Sequence, residues 1–258
     1  MEYTKFLESK RIVVEPSGFE PQHDISPVLF DFQQDIVKWA LKKGKSAIFA
    51  GTGLGKTLMQ LEWAMHVYEN YKGNILILAP LAVAEQTVRE GLKLDINVHL
   101  CRSQNDVKPG INITNYEMLN HFDTSLFAGI ILDESSILKS FEGKVRNEII
   151  EKFKATPFKL ACTATPAPND HMELGNHAEF LGTMTRTEML STFFVHDGGD
   201  TAKWRLKKHA VKDFWIWVSS WAVMLSHPSD LGYDGHKFDL PELRLHEIVV
   251  DKTGYVVK

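Results

Sequence analysis

Between about residues 30 and 165, short apolar runs alternate with longer stretches of mixed polarity. Ser46-Ala47-Ile48-Phe49-Ala50 reads as a buried strand, followed by the glycine-rich stretch Gly51 to Gly55 and then a helix through Met65. The pattern next predicts a strand at Asn74–Ala79, a helix at Ala84–Leu92 and strands at Asn97–Cys101 and Ile111–Thr114. Two further strands, Gly129–Leu132 and Lys159–Thr163, flank a helical pattern over Lys144–Phe153. Runs this short and this apolar suit strands covered on both faces. Their βαβα order predicts an α/β fold with a doubly wound, mainly parallel sheet.

The character of the chain changes after Phe180. Strand signals are scarce from Thr183 to Lys237, while Trp204, Trp215, Trp217 and Trp221 supply four of the six tryptophans. Phe214, Trp217, Trp221 and Leu225 recur at helical spacing, so these side chains are expected to pack as core. The expected organisation is an α/β unit over residues 1–182 and a Trp-rich helical extension over 183–239. A boundary loop is expected at Asp197-Gly198-Gly199-Asp200, and a strand or linker over 240–258 leads towards something outside this chain.

Composition narrows the class. With 44% hydrophobic and 24% charged residues among 258, disordered and collagen-like chains are excluded. Twenty-nine basic and thirty-three acidic side chains give a formal charge of −4, so any nucleic-acid contact must come from a local basic surface. Lys203-Trp204-Arg205-Leu206-Lys207-Lys208-His209 is the candidate for such a surface. Cys101 and Cys162 make no disulfide framework and lie in no metal-ligand spacing, which suits buried thiols in a reducing compartment. The histidines are scattered without the paired spacing of a zinc site. The N-terminus is polar, and runs such as Ile75 to Leu78 fall far short of the roughly 18 residues of a membrane span. A soluble, cytoplasmic protein without a membrane partner is expected.

Two motifs carry chemistry. Ala50-Gly51-Thr52-Gly53-Leu54-Gly55-Lys56-Thr57 sits between an expected strand and an expected helix. Glycines let backbone N–H groups turn inward around an anion, and a helix N-terminus adds partial positive charge. In such a loop Lys56 reaches the β- and γ-phosphates of a nucleotide and the Thr57 hydroxyl binds Mg²⁺. Ala50 takes the place of the first glycine of the general pattern. The second motif is Asp133-Glu134, delivered by Ile130-Ile131-Leu132 to the carboxyl edge of the sheet, where ligands of open α/β folds bind. Asp133 suits Mg²⁺ held through its water shell, and Glu134 suits activation of a water for in-line attack on the γ-phosphate.

Together these residues resemble superfamily 2 helicases and translocases, and within them the Swi/Snf-like branch. Ala50 to Thr57 is similar to motif I and Asp133-Glu134-Ser135-Ser136 to motif II. Leu29-Phe30-Asp31-Phe32-Gln33 with Trp39 resembles the Q-motif region, which implies that Gln33 reads the adenine edge. Ala79-Pro80-Leu81, with Gln86 and Glu90, is similar to motif Ia, and Ile113-Thr114-Asn115-Tyr116-Glu117 to motif Ib. Thr163-Ala164-Thr165-Pro166, followed by Asn169, Glu173 and Leu174, resembles motif III.

The resemblance spans about residues 27 to 182. It implies the first RecA-like lobe of a nucleic-acid-stimulated ATPase, with ATP and Mg²⁺ as cofactors. The nucleotide would be held by Gln33, Gly51, Thr52, Gly53, Leu54, Gly55, Lys56 and Thr57, with Lys56, Asp133 and Glu134 as the catalytic set. Thr163 and Thr165 would couple the nucleotide to a nucleic-acid strand, DNA before RNA, contacted at Pro80, Leu81, Thr114 and Asn115. Many relatives end motif II in Ala or Gly and then His or Asp. Here Ser135-Ser136 stand there, so a serine hydroxyl would have to make the contact to motif III.

Superfamily 2 motors carry a second RecA-like lobe with arginine fingers. Leu240-Pro241-Glu242-Leu243 resembles the approach to it, and the chain ends at Lys258. The implied second lobe would lie in a longer chain or in a partner, and ATP turnover by this chain alone would be slow. Relatives with a comparable Trp-rich extension resemble helicases of phages and mobile elements, which would place the protein in a host cytoplasm. Two other readings stand beside the motor lobe: a non-catalytic, nucleotide-gated module that docks nucleic acid or protein, and a small-molecule kinase, with which the ordered motifs Ia, Ib and III conflict.

Overall fold

The computed structural model describes residues 12–139, 143–167, 169–197, 200–241 and 245–246. Helices cover Asp31–Lys43 (α1), Lys56–Tyr71 (α2), Leu81–Gly91 (α3), Lys144–Lys152 (α4), Leu174–Leu181 (α5), Arg186–Phe193 (α6) and Val211–Ser219 (α7). The strands are Lys45–Ala50 (β1), Asn74–Ala79 (β2), Val98–Leu100 (β3), Ile111–Asn115 (β4), Phe127–Asp133 (β5), Phe158–Thr163 (β6), Phe194–Asp197 (β7), Asp200–Leu206 (β8) and Ala222–Leu225 (β9).

Seven strands form one sheet in the order β3-β4-β2-β5-β6-β1-β9, with every neighbouring pair parallel. Strands covered on both faces are predominantly apolar, and β2, β5 and β6 are buried along almost their entire lengths, the one buried ammonium of β6, Lys159, donating to the Phe180 carbonyl at 2.8 Å. One face packs on α1, α2 and α3 through Phe32, Leu41, Trp63, Val67 and Ala84. The other packs on the later helices through Ile149, Phe180, Phe193, Phe214 and Trp217. This is the doubly wound α/β architecture that the alternating pattern predicts. No helix among the described residues is long and apolar enough to cross a membrane.

The segment after Phe180 contains the anticipated helices, α6 and α7, and also three strands that the sequence reading did not anticipate. β7 and β8 pair as an antiparallel hairpin. β9 joins the main sheet beside β1, in the register Ala47↔Ala222 to Ala50↔Leu225. Four residues are too few to show a period-2 pattern, and here they follow directly on a helical one. The side chains expected to be core are core: Phe214, Trp217 and Trp221 are fully buried, with ring centroids 5.8 Å apart for Phe214–Trp217 and 5.4 Å for Trp217–Trp221. Trp221 also meets Phe49 of β1 edge-on at 6.2 Å. The expected boundary loop falls partly, and the strand or linker over 240–258 largely, outside the described residues.

Both cysteines are buried free thiols, and burial pushes Cys101 up to about 11 and Cys162 higher still, which leaves them protonated and unreactive.

Because Trp221 packs directly on β1, Trp221→Ala should cost about 3–5 kcal/mol. It should also shift the single urea transition of the whole chain, measured by far-UV circular dichroism. A separate early transition would mean that the tryptophan cluster folds apart from the sheet.

Candidate nucleotide site

The parallel register determines where the motifs meet. β6 lies between β1 and β5, with Phe49 of β1 opposite Thr163 and Asp133 of β5 opposite Cys162. The loop after β1, the acids ending β5 and the threonines ending β6 therefore reach the same edge of the sheet. Lys56, Asp133, Glu134, Thr163 and Thr165 converge there.

The loop Gly51–Gly55 joins β1 to the first turn of α2. Gly53 and Gly55 have φ of +85° and +75°, in the left-handed region that L side chains disfavour. A Cβ on Gly55 would also sit 2.3 Å from Nε2 of Gln33, so both conformation and space require glycine there. Gly51 N–H donates to the Leu225 carbonyl at 2.9 Å, which ties the start of the loop to β9. The Lys56 ammonium donates to the carbonyls of Ala50 (2.9 Å) and Gly51 (3.2 Å), holding the charge at the mouth of the loop.

Asp133 is buried, and its Oδ1 accepts a hydrogen bond from Gln60 Nε2 at 2.8 Å. Burial raises its carboxyl above the usual carboxylate range. The neighbouring Glu134 charge adds to the rise, while the Gln60 bond and the Lys56 charge oppose it. The Tyr116 hydroxyl donates to the Asp133 carbonyl at 2.6 Å and anchors the strand end.

Glu134 follows with φ +52°, a strained value for a side chain of its size, and its Oε2 accepts from the Thr163 hydroxyl at 3.2 Å. Thr165 N–H in turn donates to Thr163 Oγ1 at 3.1 Å. The link from the Asp133-Glu134 motif to the threonines is therefore made by Glu134, not by Ser136. Ser135 turns inward instead, its Oγ 3.1 Å from Nε2 of His177, and both residues are fully buried. The His177 ring packs edge-on against Phe49 at 5.1 Å, and burial lowers its pKa to about 4.

Gln33 is placed beside the loop. Its Oε1 accepts from Phe30 N–H at 2.9 Å, and its Nε2 donates to the Leu54 carbonyl at 2.9 Å. Among the described residues no group of three or more His, Cys, Asp or Glu is arranged to hold a metal unaided. Of the oxygen donors at this edge, the Glu134 and Thr163 side chains bond each other, which leaves the buried Asp133 carboxylate and the Thr57 hydroxyl as the pair assigned to a metal. That sparse set suits a cation such as Mg²⁺, which keeps waters and takes phosphate oxygens.

The residues assigned to a nucleic-acid strand lie at the ends of β2 and β4, which pair Leu78↔Thr114 and Ala79↔Asn115. Pro80 caps α3, and Leu81 is 72% exposed. Asn115 spends its side-chain oxygen on Met118 N–H at 3.1 Å, and the Thr114 hydroxyl is buried without a partner. Leu81, the half-buried Pro80 and Asn115, and the local backbone are therefore what this edge offers to a strand. In the basic cluster, Lys207 donates to the carbonyls of Ser191 and Thr192, 2.9 Å each, at the end of α6, so it closes a helix. Lys208 is exposed, and the side chain of Lys203 lies outside the described residues.

Sequence reading missed Gln60, Tyr116 and His177. Gln60 had a signal, since it lies one helical turn after Lys56 on the same face of α2. Tyr116 lies inside the stretch similar to motif Ib, although its bond to Asp133 is not readable there, and His177 had no signal, because both roles depend on packing between distant elements.

Comparison with known proteins supplies context for this geometry. The family model described as SNF2-related domain matches residues 32–193. A Sulfolobus solfataricus SWI2/SNF2 ATPase core, solved in complex with dsDNA, superposes with a TM-score of 0.61 at 21% identity, covering 81% of this chain and 46% of that one. A second structure of the Sulfolobus core domain gives 0.62 at 20% identity, with 86% and 47% covered. The UvsW helicase of bacteriophage T4 gives 0.51 at 18% identity, with 71% and 65% covered. At these identities the structures establish the fold, and the chain spans about half the length of the two Sulfolobus cores. No curated protein matches.

The depressed pKa of His177 has a signed consequence for stability. In the unfolded chain the imidazole protonates near 6.5, while the folded site resists until about 4. The stability it contributes is complete above pH 6.5 and is lost as pH falls through that window, by about 1.4 kcal/mol per pH unit. Urea denaturation at pH 7 and pH 5 should show His177→Leu losing about 2 kcal/mol less than the parent between the two. Equal losses would mean that the imidazole is not held neutral.

Proposed function

The chain belongs to the SNF2-related domain family, and on that premise we propose that it is the ATP-binding first lobe of a DNA-dependent ATPase, a helicase or translocase that couples hydrolysis to movement on nucleic acid. The observation that carries this reading is the convergence of Lys56, Asp133 and Glu134 on one sheet edge.

In this reading the backbone N–H groups of Gly51–Gly55 and the start of α2 cradle the phosphates. Lys56 exchanges its loop carbonyls for the β- and γ-phosphates. Thr57 and Asp133 hold Mg²⁺, which when bound spreads the charge of the transferring phosphoryl group. Raising the Asp133 pKa leaves a carboxylate that gains from a nearby cation, so the cost of burying it favours holding the metal.

Glu134 orients the attacking water and takes its proton. Its bond to Thr163 ties that carboxylate to the β6 edge, where Thr165 leads towards the nucleic-acid face. A change at the γ-phosphate then has a hydrogen-bonded route through Glu134 and Thr163 to Thr165. DNA is favoured over RNA because the Sulfolobus core was solved with dsDNA. Charge on the phosphoryl group needs further stabilisation from arginines of a second lobe, worth about 10³- to 10⁵-fold in rate. This chain alone therefore binds ATP and hydrolyses it slowly.

Two variants separate the roles. Lys56→Ala should abolish ATP–Mg²⁺ binding, followed by fluorescence of a labelled nucleotide. Glu134→Gln should keep binding and lower single-turnover hydrolysis by about 10²- to 10⁴-fold. ATP binding that ignores Lys56 would remove the basis of the reading.

A further inference from the structure

Gln60 lies one helical turn after Lys56 and Thr57 at the start of α2. It is fully buried, in a run with the buried Met59, Leu61, Trp63 and Ala64. A primary amide carries two N–H donors and an oxygen with two lone pairs. Here Nε2 donates to Asp133 Oδ1 at 2.8 Å, while the amide oxygen is buried without a partner. A methionine or leucine would fill such a place without leaving a polar atom unpaired, so packing does not account for a glutamine. The bond to Asp133 does.

That bond has a particular place in the fold. Thr57 belongs to α2 and Asp133 ends β5, so the pair assigned to a metal comes from two elements. Among the described residues, Gln60 makes the only side-chain hydrogen bond between α2 and β5. The Cys162 thiol of β6, opposite Asp133 in the sheet, lies within reach of the same amide. Gln60 thus sits where α2, β5 and β6 meet, and a single helical turn and one hydrogen bond connect Thr57 to Asp133. It engages one carboxylate oxygen and, among the described residues, leaves Oδ2 without a side-chain donor.

We propose that Gln60 is a positioning residue that fixes the aim of the Asp133 carboxylate relative to Thr57, and that this makes the site selective for a small, octahedral cation over a larger one. The proposal rests on the nucleotide-binding reading above and adds to it what decides the metal. Mg²⁺ demands near-ideal octahedral geometry at about 2.0–2.1 Å, whereas Ca²⁺ accepts about six to eight oxygens at roughly 2.3–2.6 Å in flexible arrangements. A carboxylate free to swing therefore penalises Mg²⁺ more than Ca²⁺.

The test uses the full chain and β,γ-imido-ATP, which is not hydrolysed, with Mg²⁺, with Ca²⁺ or with EDTA. Affinities are measured by calorimetry for the parent, Gln60→Met, Gln60→Leu and Lys56→Ala. The quantity compared is the gain in affinity that each cation adds over EDTA. In both Gln60 variants the Mg²⁺ gain should fall about tenfold, as expected for one lost hydrogen bond to a charged group, and the Ca²⁺ gain by no more than about threefold. A merely structural role would lower the melting temperature and weaken binding alike with either cation. In the unaltered protein, which needs no variant to fold, the side-chain amide resonances of Gln60 should shift when Mg²⁺ joins the bound analogue.

A Ca²⁺ gain that falls as far as the Mg²⁺ gain, or an Mg²⁺ gain that does not fall, would overturn the proposal, and so would unmoved Gln60 resonances. If Lys56→Ala abolishes binding but neither cation adds affinity in the parent, the proposal fails while the nucleotide reading stands. Binding that is insensitive to Lys56→Ala would remove the nucleotide site itself, and the proposal with it.

Discussion

Parallel pairing of β1, β6 and β5 is the constraint on which the rest of the molecule depends. The register that sets Phe49 opposite Thr163, and Cys162 opposite Asp133, brings three sequence-distant segments to one edge. A slip of one residue would turn every side chain of a strand to the other face. Since both faces of this sheet carry packed cores, such a slip would cost buried contacts on each side. The same burial that makes the strands legible therefore also makes the site exact in place.

The site carries local costs that the surrounding fold sustains. Asp133 keeps a carboxyl in a buried position, Gln60 retains an unpaired oxygen while donating to it, and Glu134 holds a left-handed backbone. Each is unfavourable alone. Tyr116, Gln60, Thr163 and the Ser135–His177 contact hold these residues from different elements. A site under such tension is stabilised by whatever neutralises its charge, which is how binding energy can reach the rest of the fold.

Much of this was legible in the sequence, for a physical reason. Strands such as Ile75–Leu78 and Ile130–Leu132 are covered on both faces, so their apolar runs cannot be mistaken for polar surface. The phosphate loop announces itself through glycines that the backbone needs. Helix α1 is less legible, because the residues at its start stand out as a motif and not as a period. β9 was hidden by brevity and by the tryptophans before it. The engagement of Ser135 in place of Ser136 was beyond sequence reading, since it depends on where α5 carries His177.

The position of β9 has a consequence for how the chain reaches its native state. β1 has β6 on one side and β9 on the other, and about 170 residues separate β1 from β9 along the chain. Closing so long a loop is slow compared with the local pairings that form elsewhere. During synthesis, β1 would wait with one flank bare until Leu225 emerged from the ribosome, and Gly51 would wait with it for the Leu225 carbonyl. The first strand of the sheet would then be among the last to acquire its final frame. Premature termination anywhere before Ala222 would leave an adhesive strand beside an incomplete loop.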